Sequence, residues 1–401
     1  MQIIPNVKLD IEFLDWPVHM AQAINLAQTV INTAPNPRVG CVILCQSGKL
    51  AQGWHEMPGQ AHAEIMALAN AQANGLDVNG ATVFVSLEPC AHQGRTGPCA
   101  EALVNAGVGK VVIASLDPNP VVAGKGVAII ESAGIEVSQL ADFDGPARSI
   151  NPGFFKRMET GLPFVRVKLA MSLDGRTALA SGESKWITSA QSRQDVQRLR
   201  ASVSAIVTGV ASVLKDDPLM NVRIDELGLT EAEKVSNQMS LGAQPLRVVV
   251  DSKLRTPTNA KIYGVGSVKI FTVASEQEIG AYSKSIPATC NVEVIGTAAT
   301  LIQGQKRVNL QCVLESLAQF ECNEVLVEAG SILCGAFIDA NLVDELVVYI
   351  APKLLGATSK PLLDLKELGQ LAQAPEFKVG ELSQIGEDIK ITFHPQRLTS
   401  K

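Results

Sequence analysis

Three short runs constrain this chain more than any other feature: His62-Ala63-Glu64, Pro89-Cys90 and Pro98-Cys99. One imidazole and two thiols can act together only if the fold brings them to one point. The flanking sequence supplies elements suited to that. Thr82–Ser86 is a β-branched run and predicts a strand ending just before Pro89-Cys90. His62–Ala73 predicts a helix opening at the histidine, and Cys99–Ala106 a second one, closed by Gly107. Strands over Val39–Leu44 and Lys110–Ser115 and a helix over Met20–Val30 extend the alternation. Strands alternating with helices make an α/β layer domain.

One His and two Cys form a three-ligand zinc set with the fourth position left for water. Helix starts favour thiolate over thiol. Glu64 lies two residues past His62, close enough to take a proton from such a water without ligating. The set resembles the signature of zinc nucleobase deaminases, H-x-E with P-C…C. It departs in one respect, since eight residues separate Cys90 from Cys99 where that signature has two. A zinc that only staples the fold is the alternative; it needs a fourth protein ligand and has no use for Glu64. His92 is open between a fourth ligand and a substrate contact; the contact is expected, because a fourth protein ligand would displace the water. Cys41, Cys45, Cys290, Cys312, Cys322 and Cys334 read as small core residues. His19 and His55 read as structural, and His394 carries no motif.

Composition excludes several classes. The chain has 401 residues, enough for two or three domains at ~150 residues each. With 46% hydrophobic and 18% charged residues it is globular. A net charge of −6 and 4% aromatics argue against a nucleic-acid partner. The longest apolar stretch, Ala201–Leu214, is interrupted by Ser, Thr and Gly and is too short for a membrane span. No secretory leader is read at the N-terminus, so the eight cysteines are expected as reduced thiols in a cytoplasmic protein.

The texture changes near residues 145–165, which suggests domains over 1–150 and 151–401 with a breaker-rich joint at 151–163. Downstream, strands are predicted over Phe164–Leu169, Ser204–Thr208, Leu246–Asp251, Val268–Val273, Glu324–Glu328, Glu345–Ala351 and Asp388–Phe393. The polar stretch Asp225–Gln244 reads as a surface excursion. Glu328-Ala329-Gly330-Ser331 follows a strand and opens a helix, as Gly209 does after Ser204–Thr208. Each is either a phosphate cradle or a plain turn. Two such units in one domain favour a dinucleotide site. Asp216-Asp217-Pro218 reads as a turn rather than a catalytic pair.

Further runs carry a wider resemblance. They are Pro35-Asn36-Pro37-Arg38-Val39-Gly40, Leu87-Glu88-Pro89-Cys90, Gly94-Arg95-Thr96-Gly97-Pro98-Cys99, Asp117-Pro118-Asn119-Pro120 and Ala123-Gly124-Lys125-Gly126. In the second half they are Lys168-Leu169, Ser172-Leu173-Asp174-Gly175-Arg176, Ser181-Gly182-Glu183-Ser184, Trp186-Ile187-Thr188 and Val327-Glu328-Ala329-Gly330. Together they resemble the bifunctional deaminase–reductase family of bacterial riboflavin biosynthesis, over nearly the whole chain.

The resemblance implies a cytidine-deaminase-like α/β/α domain followed by a dihydrofolate-reductase-like α/β domain. It implies hydrolytic deamination of 2,5-diamino-6-(5-phosphoribosylamino)pyrimidin-4-one, then NADPH-dependent reduction of the ribosyl group to ribityl. His62, Cys90 and Cys99 would hold Zn2+, with Glu64 as proton shuttle. Ala170, Trp186, Ser212, Asp216, Ser252, Gly330, Ser331, Ile332, Leu333, Cys334, Gly335 and Ala336 would meet the cofactor. Ser184, Arg200, Met220, Arg223 and Glu328 would meet the substrate, the two arginines as anion clamps. The expected partner is a small phosphorylated pyrimidine, with no nucleic acid and no membrane, and a homo-oligomer is expected. The competing reading is a nucleic-acid or free-nucleobase zinc deaminase with an accessory dinucleotide-binding domain.

Overall fold

The computed structural model describes residues 15–91, 97–120 and 122–396. The chain divides into two compact units. One runs to Glu159 and also takes Glu231–Ser240; the other holds Thr160–Thr230 and everything from Leu241 onward.

The first unit begins with helix α1 (Trp16–Gln28), which starts four residues before the expected Met20 because Pro17 suits a first helical turn. Strands β1 (Gly40–Leu44) and β2 (Leu50–Trp54) precede helix α2 (Ala63–Ala73). Then come β3 (Thr82–Val85), α3 (Cys99–Asn105), β4 (Lys110–Ile113), α4 (Lys125–Ser132) and β5 (Glu136–Gln139), with α5 (Asp144–Ser149) and α6 (Pro152–Thr160) after them. The breaker-rich stretch 151–163 is largely helical. Gly107 does end α3, in a left-handed conformation at φ 72°. The sheet order is β2-β1-β3-β4-β5, with β3, β4 and β5 parallel.

Alternation along the strands builds two cores. Cys41, Ile43, Val83, Val85, Val111 and Ile113 meet α2, α3 and α4 on one face. Val42, Phe84 and Val112 meet Met20, Ile24 and Ala27 of α1 on the other. The result is a three-layer α/β/α unit. Its β3 strand ends where the Cys90 loop begins.

The second unit is built on a nine-stranded sheet. Its strands are β6 (Phe164–Ser172), β8 (Ala205–Gly209), β9 (Leu246–Val250), β10 (Val268–Thr272), β11 (Val292–Gly296), β14 (Glu324–Val327), β15 (Glu345–Ala351), β17 (Phe377–Ile385) and β18 (Asp388–Pro395). The short β7 (Arg176–Ala178) pairs with β16 (Lys360–Pro361), and β12 (Ala299–Ile302) with β13 (Gln305–Val308). In the main sheet the order is β11-β10-β9-β8-β14-β6-β15-β18-β17, with β18 antiparallel to both of its neighbours, β15 and β17. From β8 the chain steps outward to β11, and β14 then returns to sit between β8 and β6. Such a reversal leaves a crevice at the carboxyl ends of the strands. Helices α7 (Ala190–Ala201), α8 (Val210–Asp216), α10 (Glu276–Ser285), α11 (Leu310–Gln319) and α12 (Ser331–Asp339) complete this unit.

The stretch 225–244 is mostly exposed, as a surface excursion is, but two buried residues anchor it. Leu227 is fully buried and Asn237 is 1% exposed. Helix α9 (Glu231–Ser236) belongs to the first unit, where the Asn237 side chain accepts from Ile31 N–H at 2.7 Å and donates to Thr29 O at 2.9 Å. At this anchor the Asn237 amide satisfies backbone groups rather than water. Among the described residues no helix is long and apolar enough to cross a membrane.

Candidate functional site

Among the described residues, each unit brings some of the expected site residues together. In the first, His62 is the N-cap of α2 and Cys99 the first residue of α3. Cys90 lies in the loop after β3. The Nδ1 atom of His62 is 3.4 Å from the Cys90 sulfur and 3.4 Å from the Cys99 sulfur. All three candidate ligand atoms lie within 4.8 Å of one another. A borderline nitrogen and two soft sulfurs at this spacing fit zinc.

As free side chains the two sulfurs share a proton. Cys90 accepts from the Cys99 thiol, from His62 and from the Cys99 backbone N–H at 3.3 Å, which hold its pKa well below that of an ordinary thiol. Cys99 is the buried donor and is pushed up.

Glu64 is the second residue of α2 and 3% exposed. Burial, reinforced by the negative Cys90, pushes its carboxyl up to about 7. A carboxyl poised near neutrality can both take and give a proton. Helix α2 lies directly on β2 because Gly53 has no side chain: a Cβ there would fall 2.3 Å from Ala63 O and from Ala67 N. Gly53→Val is therefore expected to displace the turn carrying His62 and Glu64. Deamination should fall by about 100-fold, as misplacements near 1 Å can do, while reduction by the same chain stays within twofold; parallel assays of the two activities check this.

His55 read as structural in the sequence, yet it borders this site. It is buried, its ring lies edge-on to His62 with centroids 5.2 Å apart, Nδ1 donates to Ala61 O at 3.1 Å, and Nε2 accepts from Asn36 Nδ2 at 3.0 Å. Its spacing of seven residues before His62 was the only available signal. His92 lies outside the described residues.

In the second unit the expected substrate residues partly converge. Glu328 follows β14, and Arg200 grips it with Nε–Oε1 at 2.6 Å and Nη2–Oε2 at 3.1 Å. Arg200 also donates to Asn221 O at 3.1 Å and reaches the Met220 sulfur at 4.0 Å. Burial works to raise the Glu328 pKa, but Arg200 and then Lys168 outweigh it and hold it down. Burial lowers the ammonium pKa of Lys168 against the pull of Glu328. Lys168, on β6, entered the sequence reading only as a motif match. Its signal was the pattern Arg166, Lys168 in alternation with buried Val165, Val167 and Leu169: cations on a covered strand face need acids opposite. Arg223 is placed differently, with its fork closed on Glu226 at 2.6 and 2.7 Å and half exposed. Both expected anion clamps thus face carboxylates.

Gly330 caps α12 with no side-chain cap on the helix, and a Cβ at Gly330 would meet nothing within 4 Å. An open, uncapped helix start fits an anionic cofactor group. Ser331, Ile332 and Leu333 form the first turn; Ile332 is 69% exposed. Ala336 continues the helix, and the Cys334 thiol turns inward to donate to Ala329 O. Gly335 has another role, since its bare face receives the Asp364 carbonyl. Ala170 is near the end of β6, Ser212 on α8, and the Ser252 hydroxyl after β9 accepts from Val308 N–H at 3.2 Å. Asp216 is exposed at the end of α8, where Asp217 closes the helix at φ 39°, a turn as expected. Trp186 is 63% exposed with Arg193 over its ring at 4.3 Å; Ser184 is half-buried nearby in sequence.

Comparison with known proteins matches both halves. Residues 17–115 match the cytidine and deoxycytidylate deaminase zinc-binding region, and residues 163–391 the RibD C-terminal domain. The chain is 45% identical to the riboflavin biosynthesis protein RibD of Haemophilus influenzae, over 94% of this chain and 97% of that one. It is 44% identical to RibD of Escherichia coli, over 92% and 97%. Among solved structures, Acinetobacter baumannii RibD superposes with a TM-score of 0.83 at 41% identity, covering 96% of this chain and 99% of that one. A Thermotoga maritima diaminohydroxyphosphoribosylaminopyrimidine deaminase/5-amino-6-(5-phosphoribosylamino)uracil reductase superposes at 0.79 and 29% identity, covering 96% and 100%.

Proposed function

Because this chain belongs to the RibD family of bifunctional deaminase–reductases in riboflavin biosynthesis, we propose specific roles for its two sites. The first unit deaminates the diamino-hydroxy-pyrimidine bearing a phosphoribosylamino group, and the second reduces the sugar of the product. The observation that carries this reading is the convergence of His62, Cys90 and Cys99 beside the buried Glu64.

His62, Cys90 and Cys99 would hold zinc, which supplies the acidity that makes water a nucleophile near neutral pH. Glu64 takes the proton of the attacking water and delivers it to the departing amine, which leaves as ammonia. His55 and Asn36 hold the wall beside His62. The neutral tautomer of His55 is set by its two partners, the Ala61 carbonyl and the Asn36 amide.

In the second unit a bound NADPH would supply hydride chemistry toward the anomeric carbon of the opened sugar. The uncapped start of α12 at Gly330-Ser331 would hold the dinucleotide phosphates. Lys168, Glu328 and Arg200 form a buried charged wall against which the ribosyl group is oriented. The Glu328–Arg200 pair keeps the carboxylate ionised, and Lys168 is left to donate hydrogen bonds to sugar oxygens. The cytoplasm is the proposed setting, where the Cys90 and Cys99 thiols stay reduced.

Mass spectrometry of the products tests the scheme. Without NADPH the diamino substrate should stop at the mass change of an amine replaced by oxygen. With NADPH that product should gain two hydrogens. Reduction of the undeaminated substrate, or no deamination by zinc-loaded protein, would overturn the assignment.

A further inference from the structure

Two of the three proposed zinc ligands are carried by helix starts, His62 by α2 and Cys99 by α3. Cys90 alone lies in a loop, so something other than a helix must fix its sulfur. Glu88, two residues earlier, is 3% exposed. Its carboxylate accepts four backbone N–H bonds. Oε2 takes those of Asp117 at 3.2 Å and Gly124 at 2.9 Å, and Oε1 those of Gly126 at 3.0 Å and Val127 at 3.2 Å. Gly124 is the N-cap of α4, which has no side-chain cap in its own sequence. Glu88 thus caps α4 from a distant loop, with its charge at the positive end of the helix. Four donors compensate a charge that burial would otherwise make costly.

The attachment is close as well as polar. A Cβ at Gly126 would fall 1.8 Å from the Pro89 carbonyl oxygen, so the Pro89 backbone lies flat on the first turn of α4. The Glu88 N–H is tied to Ser115 O at 2.9 Å. Pro89 has a fixed φ and links this anchor directly to Cys90.

We propose that Glu88 is the positioning residue for Cys90: it hangs the one loop-borne ligand on helix α4 and sets where the sulfur stands relative to His62 and Cys99. This inference rests on the zinc reading above. Glu88→Gln keeps the size but points an amide donor at backbone donors, and Gly126→Ala attacks the same joint from the helix side.

The test uses full-length protein. The readouts are zinc release to a competing chelator, the absorption spectrum of the cobalt(II)-substituted protein, deaminase kcat and KM, and reductase turnover as a check on folding. Both variants should release zinc about 10–100-fold faster, the range seen when groups supporting a metal ligand are altered. Their cobalt bands should shift, deaminase kcat should fall more than KM rises, and reduction should stay within twofold. Wild-type zinc release and an unchanged cobalt spectrum in folded Glu88→Gln would overturn the proposal. Should that variant be insoluble, the same result in Gly126→Ala overturns it alone. A wild-type chain that neither carries nor takes up zinc would overturn the zinc reading and this inference together; a zinc-replete wild type with unaltered variants overturns only the role of Glu88.

Discussion

Glu64→Gln should keep zinc, fold and reductase activity and lose deamination by about 10²–10⁴-fold, the contribution typical of a positioned proton carrier. The amide matches the carboxylate in shape, so the packing around this buried side chain is kept. What is lost is the ability to hold a proton in one step and release it in the next. The carboxyl's poise at about 7 comes from burial first and the Cys90 charge second, and neither acts on an amide in that way. Metal analysis alongside deaminase and reductase assays decides the matter. A zinc that merely stapled the fold would leave deamination unaffected by Glu64→Gln.

Gly330→Val should raise the dissociation constant for NADPH by roughly 5–150-fold, equivalent to the 1–3 kcal/mol that overfilling a well-packed contact costs. The protein itself has room for the new side chain, since nothing lies within 4 Å of a Cβ there, and the φ of −74° is ordinary for any residue. Only a ligand brought against the helix start would meet the isopropyl group. Calorimetric titration of NADPH, with deaminase activity as the unaffected control, gives the answer. Unchanged affinity would remove α12 from the cofactor site.

Much of this molecule was legible in its residues. The central strands announced themselves because they are buried on both faces, as Thr82–Val85 and Glu324–Val327 are. Strand β17 did not, because its side chains are largely exposed and the apolar alternation begun by Phe377 and Val379 is broken by a register shift before Leu382. Strand β2 was hidden by Gln52 and Gly53, the latter bare so that a helix can lie on it. The zinc set could be read because cysteine and histidine at helix starts have few other uses. Glu88 could not, since its partners are backbone N–H groups that any residue supplies. The anion-clamp reading of Arg200 and Arg223 stopped at charge; which acid each guanidinium faces is decided by tertiary placement.

The segment Glu231–Ser240 has a consequence for the order in which the protein is made. The main body of the first unit is complete at Glu159, but its last piece emerges from the ribosome only some 80 residues later. At ~5–20 residues per second that is a wait of roughly 4–16 s. During that interval the Ile31 N–H and Thr29 carbonyl lack the Asn237 amide that will bind them, while the first strands of the reductase are already being synthesised. The deaminase therefore reaches its final form only after the reductase has begun to exist, although its sequence comes first.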